Sequence, residues 1–423
     1  MTLRRTSLVV LLGVIMTMLD STIVNVALTA LARDYDTSLT TIQWVVTAYL
    51  LALSLTVPIT AWAIGRFGAR AVWLVSLVLF AGGSALCAAS WSVGSLIAFR
   101  VIQGLGGGLL MPVGQSMLAM AAGKERMGTA MAWISIPSML APVLGPLLGG
   151  VIVDALDWRW MFLVNLPISA AALVAALTLL PRSPAPGPRA RLDATGLALL
   201  SPGLALLMYG GPPAVAGAAL MACFAVRAVR TAQPLLDLRL FADRTFSSAV
   251  VALVCYSAAV LGVTVLVPLY AQLARGGDAL DAGLLLAPMG AGAALTMAPA
   301  GRLTDRTGPR GVGTAGILLA ALGIVILVVS DAPYVAMFVL GLGHGMVAPS
   351  LSAAAYRTLD QGAIPSATTL MSIAVRAAGP FGVAGLTAVL QAATFTVTFW
   401  SALALVAIAL APVLLLPRAR AYD

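Results

Sequence analysis

The chain is an almost unbroken series of apolar runs, each about as long as the roughly 20 residues that a helix needs to cross a bilayer. Hydrophobic residues make up 61% of its 423 positions and charged residues only 9%, so a soluble core–surface pattern has no polar surface to draw on. In hydrocarbon every backbone amide must be satisfied within the element itself, which leaves helices as the fold class for runs of this length. The net charge of +9 would suggest a nucleic-acid partner only if the basic residues gathered on one polar face. They occur instead in small groups between the runs, which excludes that partner. Cys87, Cys223 and Cys255 all lie inside apolar runs without the spacing of a disulfide or zinc framework. No metal site and no cofactor are expected.

Six runs fill the stretch from Ser7 to Leu180, two shorter ones follow at Ala194 to Tyr209 and Ala214 to Val229, and six more lie between Phe246 and Leu416. Between the first group and the pair stands PRSPAPGPRARLD, Pro181 to Asp193, whose prolines cannot continue a helix. The amphipathic segment Arg227 to Phe246 is expected to lie at the membrane surface. The pattern predicts an N-terminal six-helix bundle over 1–181, a linker with two extra helices and an amphipathic segment over 182–245, and a C-terminal six-helix bundle over 246–423. That makes 14 spanners, or 12 if the pair does not span. With an N-terminus in the cytoplasm, nineteen of the 24 Lys and Arg fall on that side, three fall outside, and Arg100 and Arg376 lie within spans. The bias of basic residues toward the cytoplasm therefore predicts both termini inside a plasma (inner) membrane.

Three matches recur in the same order in the two halves. GRFGAR at Gly65 to Arg70 is echoed by DRTGPR at Asp305 to Arg310, GLGGGLLMP at Gly104 to Pro112 by GLGHGMVAP at Gly341 to Pro349, and Gly145-Pro146 by Gly379-Pro380. Their offsets are 240, 237 and 234 residues. One such match in glycine-rich helices is weak; three in order point to a duplicated bundle, the common construction of secondary transporters.

These residues resemble the major facilitator superfamily, and within it the fourteen-spanner drug:proton antiporters. LDSTIVNVAL at Leu19 to Leu28 is similar to that family's opening motif, with Thr29 where a proline is usual. GRLTDRTGPR at Gly301 to Arg310 fits the superfamily's cytoplasmic-loop pattern, which implies a latch formed by Gly301, Asp305, Arg306, Gly308 and Arg310. The first-half copy, with Arg66, Gly68 and Arg70, is degenerate, because Ala61 replaces a glycine and Gly65 an aspartate. RVIQGLGGG at Arg100 resembles the fourth-helix motif with a buried arginine, and APVLGPLLGG at Ala141 to Gly150 the antiporter helix, carried here by Pro142, Gly145, Pro146, Gly149 and Gly150. DWRWMFLVNLP at Asp157 to Pro167 and PLLDLRLFADRTF at Pro234 to Phe246 look like signatures of the fourteen-spanner branch.

The residues also carry a reading of their own. Asp20 is the one acidic residue placed inside a span, where an ionised carboxylate must face water, pair with a cation or carry a proton. It is the expected proton-coupling group, or a brace between helices. His344, the only histidine, is a second titrating candidate or a packing imidazole filling the place of Gly107 in the first half. Arg100 and Arg376 are the cations that could relay charge or bond carbonyls at helix bends. Arg100 shares a helical face with Gln103 and aligns with Met337 in the repeat. Asn25, Tyr49, Gln103 and Tyr256 are expected along a substrate cavity, with Trp44 and Trp133 as further aromatic surfaces. Ala141, Gly145 and Gly149 form a ridge of small residues on which a helix can rock. One histidine and one buried aspartate are too few for intramembrane catalysis, so no enzyme is expected. The expected function is proton-coupled export of small lipophilic organic compounds by alternating access, with an endogenous natural product or lipid as the alternative cargo, or else a non-transporting scaffold. The expected partners are that substrate, protons and membrane lipid, and the chain is expected to act as a monomer.

Overall fold

The computed structural model describes residues 3–181, 192–209, 211–231, 234–276 and 279–417. Its regular structure is helical throughout, with no strand among the described residues. Fourteen long helical segments follow one another, as the apolar runs require, with the short helix Leu28–Asp34 between the first two. In the first half they are α1 (Leu3–Val26), α2 (Leu39–Phe67), α3 (Ala69–Ala88), α4 (Val93–Ala122), α5 (Met127–Ala155) and α6 (Trp160–Leu179). The inserted pair is α7 (Ala194–Tyr209) and α8 (Pro213–Arg230). The remainder are α9 (Arg244–Leu273), α10 (Ala279–Thr307), α11 (Pro309–Val329), α12 (Pro333–Arg357), α13 (Ile364–Ala392) and α14 (Phe395–Leu414). A one-turn 3-10 segment at Val57–Ile59, where Pro58 withholds an amide, interrupts α2 without ending it.

Twelve of these helices are long and apolar enough among the described residues to cross a bilayer, which makes the chain a multi-pass membrane protein. The marginal inserted pair divides: α8 meets the requirement, whereas α7 has 16 residues, about 24 Å at 1.5 Å per residue against a hydrocarbon core of about 30 Å. The other helix outside the twelve is α5, whose backbone runs for 29 residues. Of the proline-rich linker, residues 182–191 lie outside the described residues.

The chain forms two compact units. The first comprises residues 1–121, 140–238 and 362–370; the second comprises 122–139, 239–361 and 371–423. The inserted pair belongs to the first, where α7 and α8 meet at Gly203 and Gly217 and Ser201 Oγ donates to the Leu55 carbonyl of α2 at 2.9 Å.

The duplication is visible in backbone detail. Along α4, a Cβ at Gly104 or Gly108 would collide with α2, and one at Gly106 with the backbone of α3. Along α12, Gly341 and Gly345 lie against α10 in the same way, and Gly343 against α11. Each pair is separated by the same 237 residues, so in both units one helix lies in direct backbone contact with two neighbours. The loops agree as well. Gly68 at φ 82° and Gly308 at φ 85° make the same turn, in a region that side chains avoid. Two residues later, Arg70 donates to the Leu177 carbonyl of α6 at 2.9 Å and Arg310 to the Leu416 carbonyl, two residues past α14, at 3.4 Å, each tying the loop to the end of its half.

Candidate functional site

The candidate site is a charge network in the first unit, assembled from five helices. Asp20 on α1 is fully buried, as is Arg100 on α4, and Arg100 Nη1 donates to Asp20 Oδ2 at 2.7 Å. The other carboxylate oxygen, Oδ1, accepts from Gln103 Nε2 at 2.8 Å and from Asn165 Nδ2 of α6 at 2.9 Å. Gln103 turns its own carbonyl to Arg100 Nη1 at 2.7 Å and shares its amide with Ser84 Oγ of α3 at 2.6 Å; Asn165 reaches the same hydroxyl at 3.2 Å. From α2, the Val45 carbonyl accepts from Arg100 Nε at 3.2 Å, and the Tyr49 ring lies under the guanidinium at 3.9 Å. The three-residue step from Arg100 to Gln103 sets both on one face of α4, and the close approach of Gly83 to the Gln103 backbone brings α3 near enough for Ser84 to join.

One negative and one positive charge are thus enclosed together with their hydrogen-bonding capacity almost filled. That is the condition under which a buried pair persists, and removing either member would strand the other in a low-dielectric interior. Tyr49 and Gln103, expected along a substrate cavity, are fully buried as members of this network, because an enclosed guanidinium needs an aromatic face and an acceptor. Asn25 is exposed, its amide donating to the Ser21 carbonyl at 3.2 Å. Sequence reasoning missed Asn165, Ser84 and Cys87, whose thiol donates to Gln103 Oε1 at 3.7 Å. Of these, only Asn165, an amide inside an apolar run, carried a legible signal.

The antiporter helix meets α1 beside this site. A Cβ on Gly145 would overlap the Thr22 side chain, and one on Gly149 would lie 3.1 Å from the Ile23 carbonyl, two and three residues beyond Asp20. Gly150 faces open space. Pro142 and Pro146 lie in the α5 backbone, with side chains outside the described residues. Ahead of α6, the DWRW segment ties down the end of the first span: Trp158 Nε1 donates to Asp34 at 2.8 Å and Arg159 lies over the Trp158 ring at 4.3 Å.

In the second unit, His344 of α12 stacks on Tyr256 of α9 with ring centroids 5.7 Å apart and planes 22° from parallel. His344 Nδ1 and Tyr256 Oη have no hydrogen-bond partner among the described residues. Met337, the counterpart of Arg100, is fully buried and apolar. Arg376, on α13, is not among the partners of Asp20; it lines a cleft against α9.

From the last turn of α10, Asp305 caps the N-terminus of α5. Its carboxylate accepts from the amides of Gly128 at 2.7 Å and Thr129 at 3.0 Å, and from Thr129 Oγ1 at 2.5 Å, at the positive end of the helix dipole. Gly301 makes room for this approach, lying against Gly128 and Ala132. Arg306 is exposed and forms no ion pair among the described residues, and Arg66 is half-buried with its guanidinium 5.9 Å from the Phe67 ring.

Comparison with known proteins gives a consistent picture. The family model of the Major Facilitator Superfamily matches residues 10–383 and 290–422. The Multidrug resistance protein B homolog of Mycobacterium tuberculosis is 37% identical over 406 residues, covering 90% of this chain and 75% of that one. The Putative multidrug resistance protein MdtD of Serratia proteamaculans is 33% identical over 334 residues, 74% of this chain and 68% of that one. Among solved structures, the proton:xylose symporter XylE superposes with a TM-score of 0.70 at 15% identity over 98% of this chain and 96% of that one. A bacterial homologue of the iron transporter ferroportin gives 0.71 at 14% identity over 97% and 98%. Likeness at such low identity speaks for the fold alone.

Proposed function

Since the chain belongs to the major facilitator superfamily, we propose that it is a proton-coupled exporter of lipophilic organic compounds, working by alternating access in the plasma membrane with both termini in the cytoplasm. The observation that carries this reading is the enclosed Asp20–Arg100 pair at 2.7 Å, bridging α1 and α4 within a network that also draws in α2, α3 and α6.

A proton arriving at Asp20 cancels the negative charge and leaves the buried Arg100 guanidinium uncompensated. An unpaired charge in that interior costs several kcal/mol, so the arrangement of helices that encloses it ceases to be the favoured one. Relief comes from moving α4 until Arg100 reaches water or another acceptor. The glycine contacts of α4 with α2 and α3 offer flat surfaces for such a shift, and the Gly145 and Gly149 contacts carry displacement of α1 to α5. Proton binding and helix rearrangement are in this way two sides of one equilibrium, as coupling requires. The multidrug resistance names of the relatives favour an organic cargo moved outward.

The test is Asp20→Asn in proteoliposomes. Asparagine keeps the size and an acceptor oxygen for Arg100 but cannot exchange a proton. In protein that remains monodisperse, efflux driven uphill by a pH gradient should disappear while substrate binding persists and loses its pH dependence. Undiminished uphill efflux by Asp20→Asn would place the proton elsewhere and end this reading.

A further inference from the structure

The second unit has an open cleft of about 540 Å³ between α11 and α14, within the size range of small-molecule sites. Arg310, Gly311, Thr314, Ala315 and Leu318 line it, recurring at steps of three and four along one face of α11, and Leu414 borders it from α14. Its lining changes character along the helix. Arg310 and Thr314 lie in the first two turns of α11, whereas Leu318, one turn on, and Leu414, on the other wall, are apolar and 53% and 45% exposed. From Arg310 to Leu318 the face runs eight residues, about 12 Å at 1.5 Å per residue, which is most of the roughly 15 Å of hydrocarbon in one leaflet.

The polar end is built to receive an anion. Arg310 gives one N–H, at Nη1, to the Leu416 carbonyl at 3.4 Å, a neutral acceptor that orients the guanidinium and leaves its charge uncancelled. No carboxylate pairs with it among the described residues, and Asp305, the nearest acid in sequence, has both oxygens on the amides that begin α5. Thr17, Ser76 and Thr398 return their hydroxyls to carbonyls three or four residues back, the usual habit in helices, but Thr314 makes no hydrogen bond among the described residues. A Cβ on Gly311 would meet nothing within 4 Å, so a ligand can reach the backbone of the first turn, where no side chain caps α11 and the helix dipole is positive. Arg302 and Arg306, exposed in the last turns of α10 and outside any ion pair among the described residues, add to the positive field.

We propose that this cleft holds one anionic phospholipid, its phosphate at the Arg310 guanidinium, the Thr314 hydroxyl and the open backbone of Gly311, and an acyl chain along Ala315, Leu318 and Leu414. A soluble phosphate would leave the apolar wall bare, and a zwitterionic headgroup would bring a cation to a group of three arginines. The cytoplasmic leaflet follows from the proposed orientation of the chain, on which the binding itself does not rest. Since Arg310 also holds the Leu416 carbonyl, an occupied cleft joins the lipid to the contact that ties the turn after α10 to the end of its half.

The experiment titrates the full chain in detergent with phosphatidylglycerol, phosphatidylcholine of the same acyl chains, or inorganic phosphate, and counts bound molecules by native mass spectrometry. The expected result is one phosphatidylglycerol bound at least about tenfold tighter than phosphatidylcholine, weakened about tenfold by Arg310→Gln and largely retained by Arg310→Lys, as a charge-assisted contact predicts. Arg230→Gln, at an exposed arginine of α8, should weaken it less than about twofold. Equal losses from Arg310→Gln and Arg230→Gln would reduce the effect to diffuse surface attraction and overturn the proposal, as would equal affinity for the two lipids. Inorganic phosphate that binds as tightly and displaces the lipid overturns it in favour of a soluble ligand. Should Arg310→Gln fail to fold, Gly311→Trp, which fills the cleft from an exposed position with open space before it, must abolish the bound lipid; undiminished binding overturns the proposal equally. Failure of the orientation is read separately. A C-terminus found accessible from outside the cell would move the lipid to the other leaflet and leave the site standing.

Discussion

The two halves of this molecule share a framework and differ in what it encloses. Around α4, the first unit buries Arg100, Gln103 and, from α3, Ser84. Around α12, the second buries Met337, Leu340 and, from α11, Ile324 at the equivalent places. The glycine contacts and the positive-φ turns are common to both, so they belong to the packing scheme, whereas the charge pair is an addition to one copy. A fold that tolerates methionine where its twin carries a buried guanidinium does not require that guanidinium for its shape. The loops show the opposite asymmetry: the carboxylate that caps a helix survives in the second half as Asp305, while Gly65 holds its place in the first.

The strongest way to break this comparison is to make the first unit imitate the second. Arg100→Met alone should destabilise the protein by about 3–5 kcal/mol, because Asp20 is left enclosed without a cation. The triple change Asp20→Leu, Arg100→Met and Gln103→Leu should recover most of that loss and still fail to couple, since apolar replacement of a buried pair is often neutral or better. Thermal unfolding in detergent, paired with pH-driven transport, reads both. If the single and triple variants are equally unstable, the network is structural and the comparison fails.

A smaller effect is expected at the loops. Asp305→Ala removes three hydrogen bonds from the start of α5 and should cost about 1–2 kcal/mol and slow turnover several-fold. Gly65→Ala places its Cβ where nothing lies within 4 Å and should stay within about 0.5 kcal/mol of the parent. Equal losses from the two would erase the inferred asymmetry.

The smallest effect concerns the inserted pair, which has no counterpart in the other unit. Burial pushes the Asp193 carboxyl up, but the Arg227 guanidinium at 2.6 Å and the amides of Gly196 and Leu235 together hold it below the ordinary 3.8. Its contribution to stability is therefore present above about pH 4 and is lost as the pH falls below that value and the carboxyl takes up a proton. Melting curves from pH 6 to pH 3 should show a steeper acid loss in the parent than in Asp193→Asn. Parallel curves would mean that this ion pair does not hold the pair of helices.

Much of the architecture was legible because a bilayer imposes length and apolarity on every span, and because a duplicated glycine pattern survives where backbones touch. The site was legible mainly in its charged members. Asp20 and Arg100 announce themselves by their cost in an apolar run, and Asn165 more faintly as an amide in one, but Ser84 is ordinary in such helices, and nothing in the sequence pairs Ser84 or Asn165 with residues on α1 and α4. The partner of Asp305 was equally hidden, since it consists mainly of backbone amides that every residue possesses. Nor could residue type alone distinguish Arg376, which lines a cleft, from Arg100, which is sealed among partners.

The sequence separation of the Asp20–Arg100 pair has a consequence for how the protein is made. The two residues are 80 positions apart, and a ribosome adding about 5–20 residues per second delivers the second roughly 4–16 seconds after the first. During that interval α1 carries an aspartate without its cation, six residues from the end of a mostly apolar span, where one at mid-helix would cost about 2.5–3.5 kcal/mol on the translocon scale. The pair therefore links the first helix to one made later, and a chain truncated before Arg100 is expected to hold α1 less firmly in the bilayer than one truncated after it, as crosslinking to the insertion machinery would read.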